Sequence, residues 1–251
     1  MRTGEDFTQQ RLARLAGLLF LVAMATGLFA EFYVHFPSRL LSGSIAQTAQ
    51  SVMRNGTLTN LGMANNIVTF LVDVVLIWCL YQVTRQANAQ LAMLALIFRV
   101  IETALAAAAI AQSLVAMQVV VDAVAAGHFD TATAQIGSQL HYTYAADFTM
   151  AAVFLGCGSA VFNYLFYVSR YVPRLLAGWG ILASILLVFG QLAIIVAPSL
   201  ERLINPAGFA PIVIDEIALG LWLLTRGVRT LQPHKAAEEH TLRSDTAVSV
   251  A

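Results

Sequence analysis

The chain is too apolar and too sparsely charged to be a water-soluble protein. Of its 251 residues, 59% are hydrophobic and only 11% are charged, whereas soluble domains average roughly 45–50% apolar and about 25% charged residues. Its 14 basic and 14 acidic side chains are too few to cover the surface of a soluble domain of this length. The formal net charge of zero gives no sign of nucleic-acid binding. We therefore predict an all-α, polytopic bundle of membrane helices.

Six stretches are long and apolar enough to cross a hydrocarbon core of roughly 30 Å, which takes about 20 helical residues. In chain order the predicted spans cover residues 12–33, 61–83, 91–119, 140–168, 175–197 and 208–224. Arg11 and Arg14 precede the uninterrupted apolar run of the first stretch, as basic residues precede the apolar part of a secretory signal, but no small-residue cleavage pattern follows before Glu31. The first stretch is therefore predicted to be a retained span.

Two polar segments complete the predicted organisation. Residues 37–60 are too polar to span, yet their apolar residues recur at roughly helical spacing, which predicts a short external helix between helices 1 and 2. Residues 230–251 lose this periodicity and mix both signs of charge, which is typical of a disordered tail. The chain is thus divided into an N-terminus over 1–11, a six-span domain over 12–229 and this tail.

The basic residues lie mainly on one side of the six predicted spans. One side holds ten of them, the other side holds Arg39, Arg54 and Arg202, and Arg99 falls within the third span. The ten are Arg2, Arg11, Arg14, Arg85, Arg170, Arg174, Arg226, Arg229, Lys235 and Arg243. Cytoplasmic loops of membrane proteins carry an excess of Lys and Arg. Both termini are therefore predicted to be cytoplasmic.

Five ionisable side chains inside the spans are candidate functional groups. Asp73, Glu102 and Glu216 lie near the middle of their predicted helices. Arg99 lies somewhat nearer the predicted cytoplasmic side, and Asp147 lies toward the outer face. A charge at the centre of a bilayer costs roughly 2.5–3.5 kcal/mol on insertion scales, so such residues usually face a partner or a wet cavity. We expect all five to converge on one internal polar cavity, and we treat them as the candidate catalytic residues.

Arg99 and Glu102 can be paired in two ways. They are three residues apart on one helix, so they share a face and can form a local ion pair. Alternatively, Arg99 pairs with an acid from another helix and leaves Glu102 free to donate a proton. Because one arginine can fully neutralise only one acid, Glu102 or Glu216 is predicted to be protonated at neutral pH, with Asp73 the next candidate.

A polar stripe on the fourth predicted helix is a second candidate site. His141, Tyr144, Asp147 and Phe148 recur along one side of this helix, which is typical either of a ligand site or of hydrogen bonds between helices. A metal site needs three or four converging ligands. His141 is the only histidine at the edge of a span, so neither a metal nor another cofactor is assigned, and His141 and Tyr144 remain candidate substrate-binding residues.

Four aromatic residues near the acids are the other candidate substrate-binding groups. They are Trp78, Phe98, Phe148 and Trp222. Aromatic faces stabilise cations, so these rings could shelter a cationic intermediate. The alternative is that they are ordinary core side chains.

Short segments distributed along the chain carry a family resemblance. They are Ala13-Arg-Leu-Ala-Gly-Leu-Leu, Asp73-Val-Val-Leu, Phe98-Arg99 followed by Glu102, Tyr171-Val-Pro-Arg174, Glu216-Ile-Ala-Leu-Gly-Leu-Trp-Leu-Leu and Arg226-Gly-Val-Arg. In order and spacing, over about residues 10–230, the chain resembles the bacterial membrane proteins grouped as domain of unknown function 4386. The resemblance implies a multi-span protein of the bacterial inner membrane, and it implies no agreed activity. The candidate residues therefore rest on physical grounds alone.

Three functions are compatible with these residues. In the first, buried acids protonate or deprotonate a lipophilic, isoprenoid-like substrate, as in a membrane-bound terpene cyclase or isomerase, to which the likeness is one of size and helical construction. In the second, the acids form the relay of a proton-coupled small-solute carrier, which with six spans would need to form a homo-oligomer. In the third, the chain is a non-catalytic membrane sensor or partner protein. The first is preferred, with a membrane lipid or lipophilic small molecule as the binding partner.

The predicted topology can be tested by cysteine labelling. In a background without Cys79 and Cys157, single cysteines at Ser42 and Gly127 should react with a membrane-impermeant thiol reagent added from outside, because both positions are predicted to be external. A cysteine at Ala236 should react only after the membrane is permeabilised. The opposite labelling pattern would contradict cytoplasmic termini.

Overall fold

The computed structural model describes residues 2–30, 56–128 and 130–229. This part of the chain is all-helical and contains no strand. Its six long helices are, in chain order, Arg2–Phe29 (α1), Gly56–Thr84 (α2), Ala89–Ala125 (α3), Thr131–Ser169 (α4), Arg174–Val196 (α5) and Glu201–Thr225 (α6). A short 3₁₀ turn, Pro198–Leu200, connects α5 to α6.

Each of the six helices contains an apolar stretch long enough to span a membrane. These stretches are Phe7–Phe29, Leu61–Thr84, Ala89–Gln112, Ala146–Ser169, Arg174–Val196 and Leu203–Thr225. The predicted all-α fold with six candidate spans is therefore confirmed. The external helix predicted within residues 37–60 lies outside the described residues up to Gly56, where α2 begins, and the predicted tail also lies outside them.

The hairpin of α3 and α4 is longer than the sequence predicts. α3 has 37 residues and α4 has 39, so each helix is about 55–60 Å long, nearly twice the thickness of the hydrocarbon core. The apolar stretches end at Gln112 and resume at Ala146. The segment predicted to connect the two spans is therefore mostly helical. The apolar runs indicate which part of each helix can lie in the membrane, but they do not indicate where the helix ends. A helix continues through polar residues when its backbone hydrogen bonds are kept.

A glycine and an N-cap aspartate build the turn between α3 and α4. Gly127 has a φ of 69°, a left-handed conformation that glycine adopts without a Cβ penalty. Asp130 caps α4 by accepting a hydrogen bond from the backbone N–H of Thr133 at 2.8 Å. This bond holds the pKa of the exposed Asp130 carboxyl below its usual range. Because a side chain at Gly127 would be strained, the neighbouring exposed Ala126 is the better position for the labelling cysteine.

The six helices form a closed ring. Each helix packs against its neighbours in the chain, and α6 packs along α1 to close the ring. The main hydrophobic core lies at the end of the ring where α1 begins and α6 ends. Its larger buried side chains include Phe20, Leu76, Phe162, Phe166 and Leu223. Apolar packing is therefore densest on the terminal side of the ring.

Hydrogen bonds tie the helix ends together on this terminal side. The side-chain amide of Gln9 donates to the carbonyl of Val83 at 3.0 Å, which joins α1 to α2. Gln10 donates to the carbonyl of Arg226 at 3.0 Å and accepts from the backbone N–H of Val228 at 3.1 Å, which joins α1 to the end of α6. The start of α1 and the end of α6 therefore lie on the same side of the ring, as an even number of spans requires.

α1 and α6 approach each other closely at two glycines. A Cβ atom at Gly17 would lie 2.6 Å from the carbonyl oxygen of Gly220 and would collide with the backbone of Leu224. A Cβ atom at Gly220 would lie 2.9 Å from the Cβ of Phe20. Small residues at such crossings let helix backbones pack tightly, and this packing stabilises helix association in membranes. The ring closes because both positions lack a side chain.

The substitution Gly17→Ala should loosen this closure. The added methyl group meets backbone atoms that cannot rotate away, so we expect the free energy of unfolding to fall by about 1–3 kcal/mol, the usual range for overpacking. The measurement is the Tm in detergent micelles. Gly27→Ala is the matched control on the same helix, because nothing lies within 4 Å of a Cβ there. Equal melting temperatures for the two variants would contradict the close packing of α1 on α6.

Candidate functional site

Arg99 is buried at the centre of the ring and faces carboxyl groups from two helices. Only 5% of the residue is exposed. Its Nη1 lies 3.7 Å from Oε2 of Glu102 on the same helix and 3.9 Å from Oε1 of Glu216 on α6. The two pairings that the sequence left open are therefore both present. One guanidinium is shared between the local acid and an acid from across the ring.

A glycine on α4 makes room for the arginine. A Cβ atom at Gly158 would lie 2.7 Å from Cγ of Arg99. The bare backbone of α4 therefore packs directly against the aliphatic part of the arginine side chain. This contact places the guanidinium in the interior of the ring and away from lipid.

Two further residues complete the charged part of the site. Asp73, on α2, lies close enough to interact electrostatically with Arg99, Glu102 and Glu216. The hydroxyl of Thr103 lies 2.9 Å from the backbone carbonyl oxygen of Arg99 and 3.3 Å from Oε2 of Glu102, and its one proton can be donated to either acceptor. The structure thus brings together four of the five ionisable residues that the sequence singled out, and it takes them from α2, α3 and α6.

Asp215 and Asn163 form a second buried polar pair beside this group. Nδ2 of Asn163 donates to Oδ2 of Asp215 at 3.0 Å. Only 2% of Asn163 and 1% of Asp215 are exposed. Gly180 on α5 packs against the carboxamide of Asn163, where a Cβ atom would collide with it. Asp215 is not among the candidate residues predicted from the sequence. The sequence signals that point to it are its position next to Glu216 and the lone asparagine of α4.

Members of both polar groups line one central cavity: Arg99 and Glu216 from the first, and Asn163 and Asp215 from the second. We use the name acid cluster for Asp73, Arg99, Glu102, Asp215 and Glu216. The cavity has room for about one water molecule. Its lining residues, contributed by α1, α2, α3, α4 and α6, are Phe20, Leu80, Arg99, Ser159, Phe162, Asn163, Phe166, Asp215, Glu216 and Leu219. The site is therefore a small space whose wall includes both carboxyl groups and aromatic rings.

Asp147 lies apart from the acid cluster, in contrast to the expected single cavity. Its Oδ2 accepts a hydrogen bond from Nε2 of Gln112 at 2.9 Å, which joins α4 to α3. Gly158, which contacts Arg99, lies eleven residues further along α4, and eleven residues of helix measure about 16 Å. Asp147 therefore belongs to a separate polar pair nearer the α3–α4 turn. Asp147 carries the same kind of group as the other acids, but it lies at a different level along the helix axis.

The aromatic residues chosen from the sequence do not line the cavity. Trp78 and Phe148 are 48% and 38% exposed. Phe148 packs beside Phe209 of α6 with 5.8 Å between ring centroids, and Phe98 packs beside Phe154 with 6.1 Å between ring centroids. Trp222 packs against the main core. The rings at the cavity are Phe20, Phe162 and Phe166. Where every face of a helix is apolar, the sequence does not indicate which aromatic residue points inward.

The described residues offer no metal site. Among them, no three His, Cys, Asp or Glu side chains are arranged to hold a metal ion. The side chains of His141 and Tyr144, the remaining candidate substrate-binding residues, lie outside what the structure describes. The described site consists of carboxyl groups, one guanidinium and one carboxamide.

Removing the guanidinium should destabilise the protein in a pH-dependent way. Arg99→Met leaves buried carboxylates without a cation, so we expect the free energy of unfolding to fall by about 3–5 kcal/mol at neutral pH. Acidification should restore part of this stability, because protonation removes the uncompensated negative charges. The measurement is Tm against pH, with exposed Arg85→Met as the matched control. A deficit that grows as the pH falls would contradict the charge arrangement of the site.

The family assignment rests on most of the chain. The family described as Domain of unknown function (DUF4386) matches residues 15–227, a range that includes the whole acid cluster. No curated protein and no solved structure matches this chain. The family resemblance seen in the sequence is thereby confirmed. The chain belongs to the DUF4386 family of proteins.

Proposed function

We propose that this protein binds and releases protons at the acid cluster and moves them across the membrane, as the proton-transfer step of a proton-coupled small-solute carrier. The observation that carries the proposal is the imbalance of charge at the ring centre, where one guanidinium lies near three carboxyl groups and a fourth, that of Asp215, lines the same cavity. Among the described residues, Arg99 is the only basic one that lines the cavity. Protons are the simplest counter-charge for the remaining acids.

The energetic argument compares ionised and protonated carboxyl groups. If all four acids were ionised, one would be balanced by Arg99 and three negative charges would remain uncompensated. A charge at bilayer depth costs roughly 2.5–3.5 kcal/mol on insertion scales, and a carboxyl group without a cationic partner lowers this cost by taking up a proton. The cluster is therefore expected to hold protons at neutral pH, with Glu102 and Glu216 sharing the arginine.

Proton exchange at this site would act on the arrangement of the helices. Asp73 is on α2, Arg99 and Glu102 are on α3, and Glu216 is on α6. Protonation of a carboxyl group weakens its attraction to the guanidinium and its repulsion of the other acids. Each proton bound or released therefore changes the forces between three helices, which is the kind of bias that shifts a protein between two conformations.

The size of the cavity favours protons and small polar solutes over lipids. It has room for about one water molecule, so an isoprenoid-like substrate would have to separate the helices to enter it. α2 and α3 share the least extensive contact among neighbours in the ring. This seam is the place where such an opening would disrupt the fewest contacts.

A second candidate function is acid–base catalysis on a lipophilic, isoprenoid-like substrate, as in a membrane-bound cyclase or isomerase. The observation in its favour is that Phe20, Phe162 and Phe166 line the cavity together with Glu216. A carboxylic acid can donate a proton to an alkene, and aromatic faces can stabilise the cation that forms. This candidate ranks second because the cavity is too small for such a substrate.

We also propose that the protein lies in a bacterial inner membrane with both chain termini on the cytoplasmic side. The support is the excess of basic residues at this end, since cytoplasmic segments are enriched in Lys and Arg. Those within the described residues are Arg11, Arg14, Arg85, Arg170, Arg174, Arg226 and Arg229.

Proton flux in proteoliposomes tests the proposed function. Liposomes containing the purified protein and a trapped pH-sensitive dye should dissipate an imposed pH gradient faster than protein-free liposomes. Glu216→Gln and Glu102→Gln should each lower the rate by about a hundredfold, the lower end of what a positioned proton-transfer group contributes. Asp147→Asn is the matched control, because Asp147 belongs to the separate pair with Gln112.

Two outcomes would contradict the proposal. Wild-type protein that conducts no more protons than empty liposomes would contradict proton movement across the membrane at the acid cluster. Unchanged flux in both glutamine variants would show that the acids of the cluster serve a structural role.

A further inference from the structure

Three buried polar atoms at the central cavity have no hydrogen-bond partner in the protein. They are Nη1 of Arg99, Oδ1 of Asn163 and Oδ1 of Asp215. All three residues line the cavity and are at least nine-tenths buried. Leaving a buried donor or acceptor unsatisfied costs about 1–3 kcal/mol. Three such atoms around one space therefore indicate that something polar occupies it.

We propose that one water molecule binds in this cavity and connects Asp215 to the pair formed by Arg99 and Glu216, which makes Asp215 a second proton-binding residue of the site. The water-binding part depends only on the geometry of the cavity. The role of Asp215 in proton transfer rests on the proposed function.

The chemistry of the cavity wall matches the hydrogen bonds of a single water molecule. A water has two donors, which suit Oδ1 of Asn163 and Oδ1 of Asp215. Its two lone pairs can accept the N–H of Arg99 and the O–H of protonated Glu216, which also lines the cavity. Buried waters typically make about three hydrogen bonds, and the available space holds about one molecule. The remaining wall is largely apolar, with Phe20, Leu80, Phe162, Phe166 and Leu219, so a chain of waters has no place there.

The structure holds Asp215 in a fixed position. Its other carboxylate oxygen accepts the hydrogen bond from Asn163, and Gly180 leaves just enough space for that carboxamide. Glu216 follows Asp215 directly in α6, and successive residues in a helix point about 100° apart. Asp215 is therefore paired with α4 while Glu216 is paired with α3. The cavity between these pairs is the space that a bridging molecule would occupy.

The proton step through this water is balanced. The O–H bond of protonated Glu216 breaks as its proton joins the water, while another O–H bond of that water breaks and its proton joins the Asp215 carboxylate. The groups that set the direction of transfer are Arg99 on α3, Glu216 on α6 and the amide of Asn163 on α4. In the described part of α1 and α5, no charged side chain lines the cavity.

The water site is tested by infrared spectra of the protein in ordinary and isotope-labelled water. An internal water should give an O–H stretching band that shifts with the label. Ser159→Val fills the cavity without changing a carboxyl group and should remove the band. Cys157→Val on the same helix is the matched control, because Cys157 does not line the cavity. A wild-type spectrum without such a band would overturn the water site.

The role of Asp215 is tested by proton flux in the same proteoliposomes. Asp215→Asn can still accept the hydrogen bond from Asn163, so a merely structural role predicts unchanged flux. The proposed relay predicts a loss of about a hundredfold, and Ser159→Val, which excludes the water, should show a loss of similar size. Normal flux in Asp215→Asn combined with reduced flux in Glu216→Gln would overturn the relay and leave the proposed function standing. Absence of flux in the wild-type protein would overturn both.

Discussion

The structure depends on one buried guanidinium that is shared between more acids than it can neutralise. Arg99 lies within 4 Å of carboxylates on its own helix and on α6, and Asp73 on α2 is within electrostatic range. Because an isolated charge is costly in the membrane interior, the guanidinium of Arg99 attracts the carboxylates around it. The ring of helices is arranged around that guanidinium, and Gly158 and Gly180 give the polar side chains the room they need.

This polar centre divides the ring into two unlike parts. On the terminal side, apolar side chains pack into one continuous core, and hydrogen bonds from Gln9 and Gln10 fasten the helix ends. Beyond the acid cluster, α3 and α4 continue as a long hairpin joined by the bond between Gln112 and Asp147. Under the proposed function, apolar packing on one side and charge-dependent contacts at the centre would together allow a local protonation event to shift whole helices.

The sequence predicts the architecture well because the bilayer constrains it strongly. Only helices satisfy their backbone polar groups in lipid, so long apolar runs translate directly into spans. The pairing of Arg99 with Glu102 also follows from spacing on a single helix. The contacts between side chains of different helices do not follow from such spacing. Nothing local indicates that Glu216 reaches Arg99, that Asn163 meets Asp215, or that Asp147 lies about 16 Å away along α4. In apolar helices the inward face is set by tertiary packing, so Phe20 rather than Trp78 faces the cavity.

The most direct measurement is the infrared carbonyl-stretch band of protonated carboxyl groups, recorded for the protein in lipid nanodiscs at neutral pH. The account predicts such a band in the wild-type protein, weaker in Glu216→Gln and unchanged in Asp147→Asn, because the excess of acids over Arg99 is balanced by bound protons. A neutral-pH spectrum with no protonated carboxyl group would show that all the acids are ionised. That result would contradict the central claim that protons are the counter-charge of the acid cluster.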